Sequence, residues 1–275
     1  MTSEIFDRIV RRRHAARAAA RLREHDFLRQ ALADDLADRL TGVARTFERA
    51  LDLGGAMGER LAAPLTVRTG LIPASGLAVV ADEDRLPFAD ASFDLIVSAG
   101  VLQGVGDLPG ALLLARRCLA PDGLFVASFF GGATLSELRA DLLAAESELT
   151  GRAAARVAPM VDAREAGGLL QRAGFALPVA DIDTLTIRYD NIFALIADVR
   201  GMGEGNALVS RVPLRRDVLG EAARRFAMRA GPDGRIAVAV QVITLTGWAP
   251  APTQQQPLKP GSAKASLAQA LNSRV

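Results

Sequence analysis

Arg49-Ala50-Leu51-Asp52-Leu53-Gly54-Gly55-Ala56-Met57-Gly58 is the stretch on which the fold turns. It opens as a short apolar run that predicts a buried strand over 49–53. The small residues that follow predict a tight loop whose backbone approaches a ligand closely, at the carboxyl end of the strand where open α/β sheets bind. Read as Asp52-x-Gly54-x-Ala56-x-Gly58, the loop carries alanine at the middle glycine of a DxGxGxG pattern. That alanine is expected to put a β-carbon where a ligand edge would pass.

Downstream, patterning predicts strands at 77–81, 93–98 and 124–130, with a helix at 107–119 capped by Asp107. Thr134-Leu135-Ser136-Glu137 reads as a capping box opening a helix to about Leu149, and Asp162 precedes a helix that Gly174 closes. Strands alternating with helices argue for a mostly parallel sheet covered on both faces. Late strands at 179–189 and 235–248 predict an antiparallel terminal edge. Helical segments near 192–200 and 214–229, split by a flexible glycine-rich run at 201–205, form a cap insertion at about 190–230. Upstream, a helix over 27–43 leads into the domain, and the Arg- and Ala-rich segment from Ile5 to Arg23 is expected to lie solvated on its flank, with an electrostatic contact to a partner or substrate as the alternative. Three parts result: a helical extension over 1–45, a main domain over 46–248, and a Pro-, Gln-, Ser- and Lys-rich tail over 249–275 expected to be disordered.

Composition removes several function classes. A net charge of +2 and only 5% aromatic residues disfavour nucleic acid. The single cysteine, Cys118, lies on an apolar helical stripe and reads as a buried thiol in a reducing compartment. His14 and His25 are the only histidines, so a transition-metal centre lacks its usual ligands. No transmembrane run is present. The expected location is cytoplasmic, with peripheral attachment at an inner membrane as the variant.

A second landmark is Ala81-Asp82-Glu83-Asp84-Arg85-Leu86-Pro87-Phe88, followed by Phe93-Asp94-Leu95-Ile96-Val97-Ser98. An acid just past a strand end can accept hydrogen bonds from an adenine amino group, although such acidic runs are more often merely solvated. The succession ALDLGGAMG, DEDRLPF, SFDLIVS, DLPGAL and APDGLF resembles class I S-adenosylmethionine-dependent methyltransferases, especially the malonyl-carrier-protein O-methyltransferase of biotin synthesis. IFDR near the start, FFGGATLSELR at Phe129–Arg139 and RGMGEGNALVSR at Arg200–Arg211 resemble the mitochondrial complex I assembly factor 5 family.

The resemblance implies a Rossmann-like α/β sheet with an antiparallel terminal strand and S-adenosylmethionine as cofactor. By it, Asp52, Gly54, Gly55 and Gly58 serve the methionine end, Asp82 and Glu83 the adenine, and Ser98 to Leu102 the floor beneath the sulfonium. It also implies methyl transfer to a protein or carrier-bound acceptor, or else a non-catalytic or arginine-hydroxylase-like assembly role on a respiratory complex I subunit. The sequence departs from the pattern around the second strand. Thr66 to Ile72 carries no acid to grip a ribose, and four residues separate that segment from Leu77. A parallel crossover ordinarily takes a dozen or more. The helix between these strands is therefore expected to be missing, leaving a hairpin-like link or one strand outside the sheet. Gln103-Gly104 stands where the resembling families tend to have His-Trp. Tyr189 and Arg139 are weaker candidates for orienting an acceptor, with packing or surface charge the favoured role.

Overall fold

The computed structural model describes residues 4–254. In chain order it contains α1 (Arg8–Ala18), α2 (Leu22–His25), α3 (Phe27–Thr41), β1 (Arg49–Leu53), β2 (Leu65–Gly70), β3 (Val79–Val80), β4 (Phe93–Ala99), α4 (Leu108–Cys118), β5 (Leu119–Gly131), α5 (Ser136–Thr150), α6 (Ala163–Arg172), β6 (Ala176–Tyr189), α7 (Ile192–Gly201), α8 (Arg216–Ala227) and β7 (Ile236–Trp248). The seven strands form one sheet in the order β3-β2-β1-β4-β5-β7-β6. The first five are parallel, whereas β7 runs antiparallel to both β5 and β6. This is the Rossmann-like arrangement with an antiparallel edge that the motifs implied.

Apolar strands need cover on both faces. Leu28, Leu32 and Leu36 of α3 bury one face of β1, β4 and β5, while Leu112 and Ala115 of α4 and Leu169 and Leu170 of α6 bury the other. Cys118 is fully buried in that second layer, and burial pushes its thiol up. Packing therefore crosses the expected boundary at residue 45, since α3 is part of the core. Packing likewise runs past residue 248: Ala249 is buried and exchanges backbone hydrogen bonds with the Asp122–Gly123 turn. The rest of the expected tail, 255–275, lies outside the described residues.

The sequence gap after β1 has a structural counterpart. The helix usual after the glycine loop is reduced to a single 3₁₀ turn, Gly58–Arg60, ahead of Pro64. No helix joins β2 to β3, as expected, yet the link is not hairpin-like and both strands are in the sheet. They are parallel, with Thr69 opposite Val79 and Gly70 opposite Val80. A helix is needed to carry a chain back along a full strand. Because β3 is two residues long, the chain needs only to fold back beside the tip of β2, where the Ala78 N–H reaches the Arg68 carbonyl at 2.8 Å. The missing helices leave this edge thinly covered, with Leu65 and Val80 about half exposed.

Beyond β5 the β6–β7 ribbon continues alone, pairing Leu185 with Val240 through to Tyr189 with Ile236. On this overhang α5, α7 and α8 pack through Leu138, Leu142, Leu195, Val218 and Phe226, so the cap recruits α5 as well as the expected insertion. The box expected to open α5 does not form. Leu135 takes a left-handed conformation at the cap position, and the Thr134 hydroxyl turns back to the Gly131 and Gln241 carbonyls, at 2.8 and 3.0 Å. Asp107 and Asp162 cap α4 and α6 as their positions predict.

The cap is also pinned by charge. Arg156 grips Glu146 through contacts of 3.1 and 2.5 Å, both side chains nearly buried, and its hydrogen bonds hold the Glu146 carboxyl below the ordinary range. Arg156→Ala leaves that carboxylate without its partner and should cost about 2 kcal/mol. A depressed carboxyl stabilises above its unfolded pKa, 4.5, and the contribution is lost as pH falls through the folded value. The urea-midpoint difference between wild type and variant should accordingly be full at pH 7 and shrink on acidification below 4.5.

Candidate functional site

At the carboxyl ends of the parallel strands the tips of β1 and β4 lie side by side, Leu53 opposite Ser98. Asp52 is fully buried. Its Oδ2 accepts from the Met57 N–H at 3.1 Å, its Oδ1 has no partner, and burial raises the carboxyl above its usual range. The turn itself needs glycine: Gly54 has φ +102°, and a β-carbon there would meet Val101 Cγ1 at 2.6 Å. Ala56 does not obstruct the loop as expected. It is buried with Met57 in the α3 layer, so its β-carbon packs in the core.

These loops open into a cavity of about 830 Å³ that extends beneath the cap. Of the residues expected at the site, Gly54, Gly55 and Glu83 line it. Asp52, Gly58, Asp82, Ser98 and Leu102 are not part of its wall. Ser98 is fully buried with an unpartnered Oγ, and Leu102 turns into the α4 side of the core. Gly58 lies farther along the loop, its carbonyl accepting from Arg68 at 2.5 Å. Gly100 and Val101 form the floor on the β4 side. Tyr189 also lines the cavity, and burial pushes its phenol up, helped by the nearby negative charge of Asp198. Arg139 instead donates to the Ala158 carbonyl at 2.9 Å, a packing role.

The largest correction concerns α1. Instead of lying solvated, it sits across the acidic run. Arg8, Arg11 and Arg12 occupy one helical face and meet Asp82, Glu83 and Asp84. Arg8 forms a fork to Asp84 at 2.6 and 2.7 Å, Arg12 reaches Asp82 at 2.9 Å, and Arg11 reaches Glu83 at 3.3 to 3.4 Å. The acids are likewise not solvated, with Asp82 and Glu83 only 4% and 3% exposed. Burial drives the Glu83 carboxyl up despite Arg11. At Asp84 burial acts the same way, but the bonds to Arg8 win and the carboxyl stays low.

The glycine-rich run at 201–205 is also held in place. A β-carbon on Gly201 would lie 2.2 Å from the His25 ring, so only glycine lets the run pass this close to α2. The run delivers Glu204 to the cavity, where Gln103 Nε2 donates to its Oε1 at 2.9 Å and to the Gly100 carbonyl at 2.8 Å. Glu204 is exposed at the cavity rim, and the protein packed around it pushes its carboxyl up. Arg11, Arg29 and Glu204 were not picked out from sequence. Arginines at positions 8, 11 and 12 facing a run of three acids were the available signal for the first.

Arg8→Ala strands the buried Asp84 and should loosen α1. Amide exchange across α1 and residues 82–85 is expected to quicken by roughly tenfold. Because the Asp84 carboxyl is depressed, wild-type protection there should persist above pH 3.8 and fall away below it.

The chain matches the family model described as a methyltransferase domain over residues 62–127. It is 36% identical to arginine-hydroxylase NDUFAF5, mitochondrial, of Danio rerio, covering 96% of this chain and 88% of that protein. It is 34% identical to the Homo sapiens counterpart, over 97% and 83% of the two chains. Malonyl-[acyl-carrier protein] O-methyltransferase of Halorhodospira halophila is 32% identical over 92% of each. Among solved structures, the YcgJ protein of Bacillus subtilis superposes with a TM-score of 0.53 at 14% identity, over 80% of this chain and 99% of that one. A likeness at that identity concerns the fold.

Proposed function

The chain belongs to the family of arginine-hydroxylase NDUFAF5 and malonyl-[acyl-carrier protein] O-methyltransferase, and from that premise we propose that it binds S-adenosylmethionine at the tips of β1 and β4 and directs its methyl group to a protein or carrier-bound acceptor. The observation that carries this reading is the glycine turn at Gly54 and Gly55 opening directly onto a cavity of about 830 Å³, a volume suited to a small-molecule ligand.

The residues present fit the cofactor at its two ends and less well between them. At the methionine end the Gly54–Gly55 backbone is free to approach a ligand, and Asp52 anchors the loop from behind. At the adenine end Glu83 faces the cavity, while Asp82, whose Oδ2 is held by Arg12, stands behind the wall with an unpartnered Oδ1. In the ribose position, where the family pattern has an acid, β2 ends in Gly70 and the wall is Leu71, Ile72 and Leu77. When bound, the cofactor supplies an electrophilic methyl group on a sulfonium. The protein's part is to orient the acceptor and exclude water, which the cap does with Leu138, Leu195 and Met202. Ser98 and Leu102 shape the floor from the core side.

A second reading is favoured by the identity to NDUFAF5, which extends over nearly the whole chain. In it the acceptor is an arginine on a respiratory complex I subunit, and the raised carboxyls of Glu83 and Glu204 face its guanidinium. Among the described residues no helix is long and apolar enough to cross a membrane.

Calorimetry with S-adenosylhomocysteine tests the first reading. The missing ribose acid costs about 1.5 to 3 kcal/mol, or ten- to hundredfold in affinity, so saturable heat is expected in the range of tens to hundreds of micromolar. Leu71→Asp should tighten binding by roughly tenfold. No heat at millimolar ligand in either protein would refute the reading. Mass spectrometry of a complex I subunit after incubation with S-adenosylmethionine, or with dioxygen and a two-electron reductant, separates the acceptor chemistries, since a methyl group and an oxygen atom add different masses.

A further inference from the structure

We infer that Arg29 is the positioning residue for the carboxylate of the ligand's amino-acid end, an assignment that rests on the cofactor reading above. Arg29 stands in the first turn of α3 and reaches over the strand tips. Its NH2 group donates to the Gly54 carbonyl at 2.5 Å and its Nε to the Ala99 carbonyl at 3.4 Å, so one guanidinium braces the loop after β1 against the turn after β4. Gly100 makes room for this path: a β-carbon there would lie 2.9 Å from Arg29 Cγ. The side chain lines the cavity beside Gly54 and Gly55.

What sets Arg29 apart is its charge balance. Arg11, Arg156 and Arg211 also line the cavity, and each is paired with a carboxylate, Glu83, Glu146 and Asp7 respectively. Arg200 forms no ion pair among the described residues, but it is exposed and solvated. Arg29 is partly buried and has no ion pair among the described residues. Asp52 and Glu204 feel its charge without touching it. A guanidinium carries five N–H donors, and the two neutral carbonyls leave its NH1 edge uncommitted. A partly enclosed cation with free, coplanar donors is complementary to a carboxylate, which it can bind with charge-assisted hydrogen bonds. The glycine turn beside it keeps side chains out of the space such a group would fill.

The test compares S-adenosylmethionine with its decarboxylated analogue, which keeps the sulfonium, nucleoside and amine and lacks only the carboxylate. Binding to both is measured by calorimetry on the full chain as wild type, Arg29→Gln and Arg29→Lys. Wild type should prefer the carboxylated ligand by roughly ten- to hundredfold. Arg29→Gln should lose that preference by weakening S-adenosylmethionine alone, and Arg29→Lys should recover part of it. Equal weakening of both ligands in Arg29→Gln would mean that Arg29 only braces the loops, and unchanged binding would mean that it does neither; each overturns the assignment while leaving the cofactor reading standing. If wild type binds neither ligand, both fall. The decarboxylated analogue is the internal control for folding, and Arg29→Lys provides a second variant that keeps the charge.

Discussion

Three arginines on one face of α1 lie against three consecutive acids beyond β3, and the closure of the cavity depends on that contact. Carboxylates as deeply buried as Asp82 and Glu83 are costly unless something compensates them. Arg8, Arg11 and Arg12 supply the compensation from a helix that otherwise has little apolar anchorage beyond Phe6, Val10 and Ala18. The cavity roof and the acidic run are therefore coupled: neither can be exposed without leaving the other's charges unpaired. The weakest member is Arg11 with Glu83, whose contacts of 3.3 to 3.4 Å are longer than the fork at Asp84. It is also the pair that borders the cavity, so the clasp is loosest where a ligand would touch it.

The second constraint is geometric. Removing the helices that usually follow β1 and β2 does not unmake the sheet, because β3 has shrunk to two residues and the return path shortens with it. The loss falls on the β2–β3 edge, where Leu65 and Val80 are half exposed, and on the wall of the cavity. There Leu77, arriving straight from the short link, packs against both Gly55 and Gly70. An apolar side chain thus stands where the family pattern would set a carboxylate. The same shortening that saves residues also changes the chemistry of that wall.

The sheet was legible in the sequence because its signals are local. The apolar run at 49–53, the caps Asp107 and Asp162, and the alternation through β6 and β7 each depend on neighbours within a few positions. What escaped was decided by contacts distant in the chain. Arg8 meets Asp84 across 76 positions and Gln103 meets Glu204 across 101, so no local pattern marks either pair. The same holds for Thr134, whose spacing to Glu137 fits a capping box. Its hydroxyl instead serves the β5–β7 edge, where the Gln241 N–H donates to it at 2.8 Å, a tertiary claim that overrides the local one. The glycines at 201–205 looked flexible in isolation, yet Gly201 passes the His25 ring too closely for any β-carbon.

These features together give the cavity a charge pattern rather than a single charge. Arg29 at the glycine turn is a cation without a paired anion among the described residues, while Glu83, reached only loosely by Arg11, and Glu204, tied through Gln103 to the turn at Gly100, have carboxyls pushed up by the protein around them. Where the group is buried, as at Glu83, such an imbalance is worth more than it would be in water. A ligand that presents a carboxylate to one side and positive charge to the other would relieve both at once, whereas a neutral or singly charged ligand would relieve at most one. The zwitterionic, net cationic character of a sulfonium amino acid matches that demand, as does, for the carboxylate side alone, a guanidinium. The charges along the wall therefore bear on the two readings of the site more sharply than its volume does, because Arg29 asks for an anion and a guanidinium alone offers none.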